Sequence, residues 1–368
     1  MNKKIRAIGA AVLVAIWAVL TGFAWFAPAK DISEAERRPL AQWPGLSTET
    51  LLNGKFMDKF EDYTLDQFPM RDTFRQIKSL FHYYAMRQLD NNDIYVQDGY
   101  AAKLEYPLNQ ASVNYVSKKF NHIYEKYLKD SGSSIHFAIV PDKGYYLAEE
   151  NGYLSLDYTS LFAQLEENMP WSEFIDLTDT LDVTDYYYTD THWRQELLIP
   201  TAQKIAQALG VTAPSESDFT KVKLDRPFYG VYYGQAALPM PAEDMYILTS
   251  DLLKDCKVYN YETDEYTDVY NMEKKETSKD LYDVFLSGPQ ALLTIENPNA
   301  TTDKELIVFR DSFGSSMTPL LVQDYSKVTL VDIRYIPSDF VEKYVTFDGQ
   351  DILFMYSTLL LNSGATLK

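Results

Sequence analysis

Leu306-Ile307-Val308-Phe309-Arg310-Asp311-Ser312-Phe313-Gly314 is the stretch on which the fold turns. Its first four residues are apolar and unbroken, the pattern of a strand buried on both faces. The run stops at a serine, and a helical pattern resumes after Ser315. A serine so placed stands at a strand's carboxyl end, where open α/β sheets bind ligands. The N-terminus of the next helix would offer backbone N–H groups to a developing oxyanion. Gly314 would let the chain turn tightly and let substrate approach. This is not the Gly-x-Ser-x-Gly elbow, because Arg310 stands where the first glycine should be. Spacing alone leaves Ser312 open between a nucleophile and a helix-capping serine.

Strands and helices alternate on both sides of this stretch. Upstream, Val113, Val116, Phe120, Ile123, Tyr124 and Tyr127 share one face of a helix expected over 109–129. A buried strand comes next at 134–140, ended by Pro141-Asp142-Lys143-Gly144, then a helix at 158–168, a short strand at 174–177 and a helix to Leu209. Pro200 would kink or restart that last helix, and Gly210 ends it. Downstream come a strand at 327–332, a helix near 338–344 and a strand at 351–356. Such alternation predicts a doubly wound, mostly parallel sheet covered on both faces. Between Gly210 and about Ala300 short β-like runs alternate with polar turns, which reads as a β-rich insertion rather than a second core. Asp98-Gly99 between two short β-like runs signals a hairpin. Residues 48–86 have helical spacing, broken at Gln67-Phe68-Pro69-Met70-Arg71-Asp72.

A nucleophile needs a base. Of the chain's four histidines, only His192 has a carboxylate two positions before it, in Asp190-Thr191-His192-Trp193. On an extended segment residues i and i+2 project to the same side; on a helix they would not. An extended stretch would therefore let Asp190 reach the His192 ring, fix its tautomer and leave the other nitrogen free as a base. Trp193 is open between a core residue and a sugar platform. Tyr186-Tyr187-Tyr188 reads either as the lining of a glycan cleft or as a packed loop. Asp311 is expected to orient the turn, and Asp182 and Asp185 to be solvated.

Composition excludes some functions. A net charge of −19 argues against nucleic acid as a partner. With 46% hydrophobic and 24% charged residues the chain has material for a large core. Its one cysteine, Cys256, forms no internal disulfide and reads as structural, and no Cys/His spacing suits a metal. Neither metal nor cofactor is expected. At the N-terminus, Lys3, Lys4 and Arg6 precede an uncharged run from Ala7 to Ala29. A bilayer-spanning helix takes about 20 residues, and basic residues before it place the remainder of the chain outside the cytoplasm. Ala27-Pro28-Ala29 also has the form of a signal-peptide cleavage site. Residues 1–30 are thus expected to be an anchor or signal peptide, 31–95 a tether and helical segment, and 96–368 a catalytic domain with the insertion at about 211–300.

Asp190-Thr191-His192-Trp193 together with Arg310-Asp311-Ser312-Phe313-Gly314 resembles the DHHW and alginate O-acetyltransferase family, whose members are SGNH-hydrolase-like domains outside bacterial membranes. The resemblance extends to Asn53-Gly54-Lys55-Phe56, to Phe68-Pro69-Met70-Arg71-Asp72 and to Val140-Pro141-Asp142-Lys143. The family order, Asp and His before Ser, is the order here. The resemblance implies an SGNH-like fold with Ser312 as nucleophile, His192 as base and Asp190 as its orienting partner. It implies substrate binding by Arg334, in Val331-Asp332-Ile333-Arg334-Tyr335; Trp193 and Tyr188 are the further candidates for that role. It also implies acetyl transfer to a cell-surface polysaccharide, beside a multipass membrane O-acyltransferase that brings acyl groups across the bilayer. An acetylesterase with the same triad, and a non-catalytic glycan-binding scaffold, are the alternatives.

Overall fold

Residues 3–368 are described by a computed structural model; Met1 and Asn2, the start of the expected anchor, lie outside the described residues. They divide into two units, one of residues up to 92 with 231–239, the other of 93–230 with 240–368.

The first unit is helical. Helix α1, Lys3–Phe26, is the one helix among the described residues that is long and apolar enough to cross a membrane. Helix α2, Thr48–Leu52, starts at a capping box on Ser47. Helix α3, Lys55–Asp66, and α4, Arg71–Leu80, are separated at the Pro69 break that the sequence marks. The 231–239 segment, expected within a β-rich insertion, instead contributes the short helix Val231–Ala236 to this unit. The reason is close packing: a Cβ on Gly234 would lie 1.6 Å from the Ala35 carbonyl oxygen.

The second unit is built on one eight-stranded sheet. Its strands are β1 (Ile135–Val140), β2 (Glu173–Asp176), β3 (Lys257–Asn260), β4 (Glu265–Thr267), β5 (Leu292–Glu296), β6 (Glu305–Arg310), β7 (Lys327–Val331) and β8 (Asp351–Ser357). In space they run β4-β3-β5-β7-β6-β8-β1-β2. From β7 to β2 every pairing is parallel. The strands β3, β4 and β5, drawn from the stretch expected as an insertion, extend the sheet by antiparallel pairing. Residues 261–264 alone join β3 to β4, a turn short enough for an antiparallel pair, which needs no crossover helix.

Alternate side chains of the parallel strands enter different cores. Val140, Val308, Leu353 and Met355 join a cluster with helix Ile199–Ala208. Phe137, Ile139, Ile307, Phe309 and Phe354 join another with helices Gln110–Ile123 and Tyr158–Asn168. Both faces are thereby buried, which is why these strands read as unbroken apolar runs. Pro200 sits in the first turn of its helix, where a missing N–H costs nothing, so it starts the helix rather than kinks it. Asp98 and Gly99 both have positive φ, as a two-residue hairpin between Ile94–Gln97 and Tyr100–Lys103 requires.

Candidate active site

The parallel strands point the same way, so the segments leaving their carboxyl ends gather at one edge. They are Pro141-Asp142-Lys143 after β1, Asp311-Ser312 after β6, Asp332-Ile333-Arg334 after β7 and Thr358 after β8. Asp311 braces the serine turn. Its Oδ1 accepts from the Phe313 N–H at 3.0 Å, and its Oδ2 accepts from the Ser357 N–H and hydroxyl at 2.8 and 2.7 Å. Ser312 is left partly exposed among buried neighbours.

The Ser312 hydroxyl lies 2.8 Å from His192 Nε2, across 120 residues of sequence. His192 Nδ1 lies 2.5 Å from Asp190 Oδ1. A carboxylate on Nδ1 makes that nitrogen the protonated one and leaves Nε2 as acceptor for the serine proton. The Asp190–His192 contact does not use the extended backbone expected from its spacing. Residues 188–192 bend, and Asp190 Oδ1 also accepts from the His192 N–H at 3.0 Å. This is an Asx-type turn, a habit of aspartate that brings the two side chains together by a different route.

The turn is held from outside. Glu243 accepts from the N–H groups of Tyr188 and Thr189 at 2.6 and 2.8 Å and from the Thr189 hydroxyl at 2.7 Å. Gly230 donates its N–H to the Thr189 hydroxyl, and a Cβ there would come within 2.3 Å of Asp190 Cα. Lys143 is buried and donates to the carbonyls of Tyr187 and Tyr188 at 2.8 and 3.3 Å. Burial pulls its amine down to about 7, against the pull of Asp190, Glu243 and Asp142. Asp142 is buried too. Burial pushes its carboxyl up, while bonds from Thr358, Tyr158 and the Gly144 N–H resist. The Tyr282 ring stacks on the imidazole, centroids 3.9 Å apart and planes within 10°. Its hydroxyl meets Ser316 Oγ at 2.7 Å, and burial pushes that phenol well above its ordinary range.

A cleft of about 680 Å³ opens at Ser312, lined also by Thr191, Arg334, Ser357, Lys103 and Lys368. Burial alone would lower the Arg334 guanidinium. Its Nε and Nη2 bonds to Asp332, at 2.9 and 2.6 Å, outweigh burial and hold it firmly charged. Three cations thus face the cleft of an acidic protein, although Lys103 is also paired with Glu105.

Some expectations fail. Trp193 is fully buried, donates to Ser316 Oγ at 2.8 Å and packs edge-on against Phe313, so it offers no sugar platform. Its size and apolar ring win over its position beside the histidine. Tyr188 is 38% exposed but stacks on Tyr100, away from the lining of the Ser312 cleft, while Tyr186 and Tyr187 are core. The helix after Ser312 is a single turn, Gly314–Met317. The N–H groups of Phe313, Gly314 and Ser315 already serve Asp311 and Ser312. Gly314 is needed for another reason: a Cβ there would sit 2.8 Å from Arg310 Cβ. Gly230, Glu243 and Tyr282 had no signal in the sequence beyond their residue types.

Residues 161–331 match a family model described as DHHW protein. A crystal structure of a DHHW family protein from Eubacterium siraeum is similar, with a TM-score of 0.57, 19% identity, and 74% of this chain and 93% of that one covered. Bacillus cereus PatB1 with a sulfonyl adduct is similar at a TM-score of 0.59 and 16% identity, covering 73% and 95%. The O-acetyltransferase domain of Pseudomonas putida AlgJ matches at a TM-score of 0.44 and 14% identity, covering 73% and 92%. No curated protein matches the sequence. Residues 161–331, which match the DHHW family model, hold Asp190, His192 and Ser312, and the fold is shared with the Eubacterium siraeum and Bacillus cereus structures.

Proposed function

We propose that this chain is an extracytoplasmic O-acetyltransferase acting on the hydroxyls of a cell-surface polysaccharide. The observation that carries the reading is the continuous line Asp190–His192–Ser312, with contacts of 2.5 and 2.8 Å, opening into a cleft at the sheet's carboxyl edge. His192 Nε2 takes the Ser312 proton as Oγ attacks the carbonyl carbon of an acetyl donor. The tetrahedral adduct collapses, and the departing donor oxygen takes that proton from Nε2. Acetyl-Ser312 remains. A sugar hydroxyl then gives its proton to Nε2 and attacks the acetyl carbon. Ser312 Oγ leaves and recovers the proton. Asp190 holds the Nδ1–H throughout and stabilises the imidazolium. Arg334 is the substrate-binding cation on the cleft wall.

Helix α1 keeps the domain at the membrane, where a multipass O-acyltransferase supplies the acetyl group. The reading is tested by giving the protein an activated acetyl ester with and without sugar oligomers, and following acetate release and oligomer mass together. Acetylated oligomer in preference to acetate is expected, because the cleft positions a sugar hydroxyl better than water. Acetate at one rate regardless of sugar would make the protein an esterase. A folded Ser312→Ala variant that still supports glycan acetylation in cells would leave only a scaffold.

A further inference from the structure

Helix α4 and the turn that continues it, Phe81–Ala85, have their polarity reversed. The side facing the rest of the first unit is polar. Arg71 and Arg75 reach Glu36 at 2.5 and 3.2 Å, Arg75 also donates to the Gly234 carbonyl at 2.9 Å, and Ser79 donates to the Ala236 carbonyl at 2.6 Å. The outward side is apolar: Phe74, Ile77, Phe81 and Tyr84 are 43%, 57%, 55% and 78% exposed. Their spacing of three, four and three makes one stripe. A helix on an aqueous domain carries the opposite arrangement, so this stripe is built for an apolar surface.

We propose that the stripe lies in the headgroup and upper acyl region of a bilayer containing anionic lipid. The first reason is charge. In a chain of net charge −19, residues 71–87 hold four basic residues and the single acid Asp72; Arg71 and Arg75 are paired with Glu36, and Lys78 and Arg87 are the cations on the outer side. Lys78, beside the stripe between Ile77 and Phe81, and Arg87, beyond Tyr84, are exposed. A helix that is apolar on one side and basic at its margins is the form that lies on anionic membranes. The second reason is continuity. Trp17 and Leu20 of α1 line one apolar groove with Trp43, Phe60, Tyr63 and Phe68. The helix suited to span the bilayer is therefore continuous with an aromatic cluster of the kind found at membrane interfaces. This inference goes beyond the acetyl-transfer reading and does not depend on it.

The test uses the full chain. Its only native cysteine, Cys256, is buried, so an introduced thiol takes a fluorescent nitrobenzoxadiazole label selectively. Ile77→Cys and Phe81→Cys report the stripe, and Gln76→Cys, exposed on another side of the same helix, is the control. Labelled protein is incorporated into vesicles of equal parts phosphatidylglycerol and phosphatidylcholine and recovered by flotation. Labels at 77 and 81 are expected to resist aqueous dithionite and to be quenched by acyl-chain nitroxides, with the label at 76 behaving oppositely. Lys78→Gln and Arg87→Gln should each lower the docked-to-undocked ratio by roughly five-fold. Labels at 77 and 81 as reducible as the label at 76 would overturn the proposal. So would protection that arises only when another membrane protein is added, because the stripe would then dock on protein.

Discussion

At the scale of single residues, the proposed chemistry depends on one proton crossing the 2.8 Å between Ser312 Oγ and His192 Nε2. Ser312→Ala removes the nucleophile from a turn that Asp311 already holds, so acetyl transfer should vanish while the melting temperature stays near wild type. His192→Ala should abolish transfer likewise. Asp190→Asn keeps a side chain of the same shape but favours the wrong tautomer, and kcat should fall about 10⁴-fold with a measurable remainder. Gly230→Ala is a harsher test of position. Its Cβ would meet the Asp190 and Thr189 backbone at 2.3 Å, and such overpacking costs about 1–3 kcal/mol. Thermal melts should show that loss, and kcat should drop more than KM rises, because the displaced group is Asp190. The pairing of Asp190 with His192 is legible from two residues' spacing. The Asx turn that makes it is not, because spacing names which side chains meet and not the backbone that brings them there. Trp193 reads as a candidate platform because a sequence carries no measure of how deeply a loop is buried.

At the scale of elements, four segments leaving parallel strands share the site. Their strands can be read because burial on both faces leaves apolar runs that survive in the sequence. What braces the site cannot. Glu243 and Gly230 reach Thr189 and Asp190 from roughly forty residues or more away in the chain, with no periodic pattern to mark them. Lys143, just after β1, gives this bracing a pH dependence. Its pKa falls from 10.5 when exposed to about 7 when folded. Between those values the unfolded chain binds a proton that the folded chain does not, so stability from this group rises with pH across the window and is lower below it. Lys143→Met has no such proton. Denaturant unfolding of both proteins from pH 7 to 10 should show wild type gaining on the variant, by at most roughly 1.4 kcal/mol per pH unit. Parallel stability curves would show that the amine keeps its proton in the fold.

At the scale of the whole molecule, the sheet brings together residues 120 positions apart in sequence. Three cations line the site's cleft in a chain whose net charge is −19. Overall charge is plain in the sequence, and the gathering of these cations on one cleft is not, since Lys103, Arg334 and Lys368 come from three distant segments. The order of strands is also beyond reach. The stretch between 211 and 300 reads as an insertion because its short runs lack helical partners, yet three of its strands complete the sheet by antiparallel pairing. The most direct measurement is to catch the covalent intermediate. The full-length protein is mixed with an activated acetyl ester, quenched in acid within its first turnover, digested and mapped by mass spectrometry. One acetyl group is expected on the peptide carrying Ser312, lost on adding sugar oligomer and missing in the His192→Ala variant. Oligomer that becomes acetylated while Ser312 never carries the group, or an equal yield from Ser312→Ala, would contradict it.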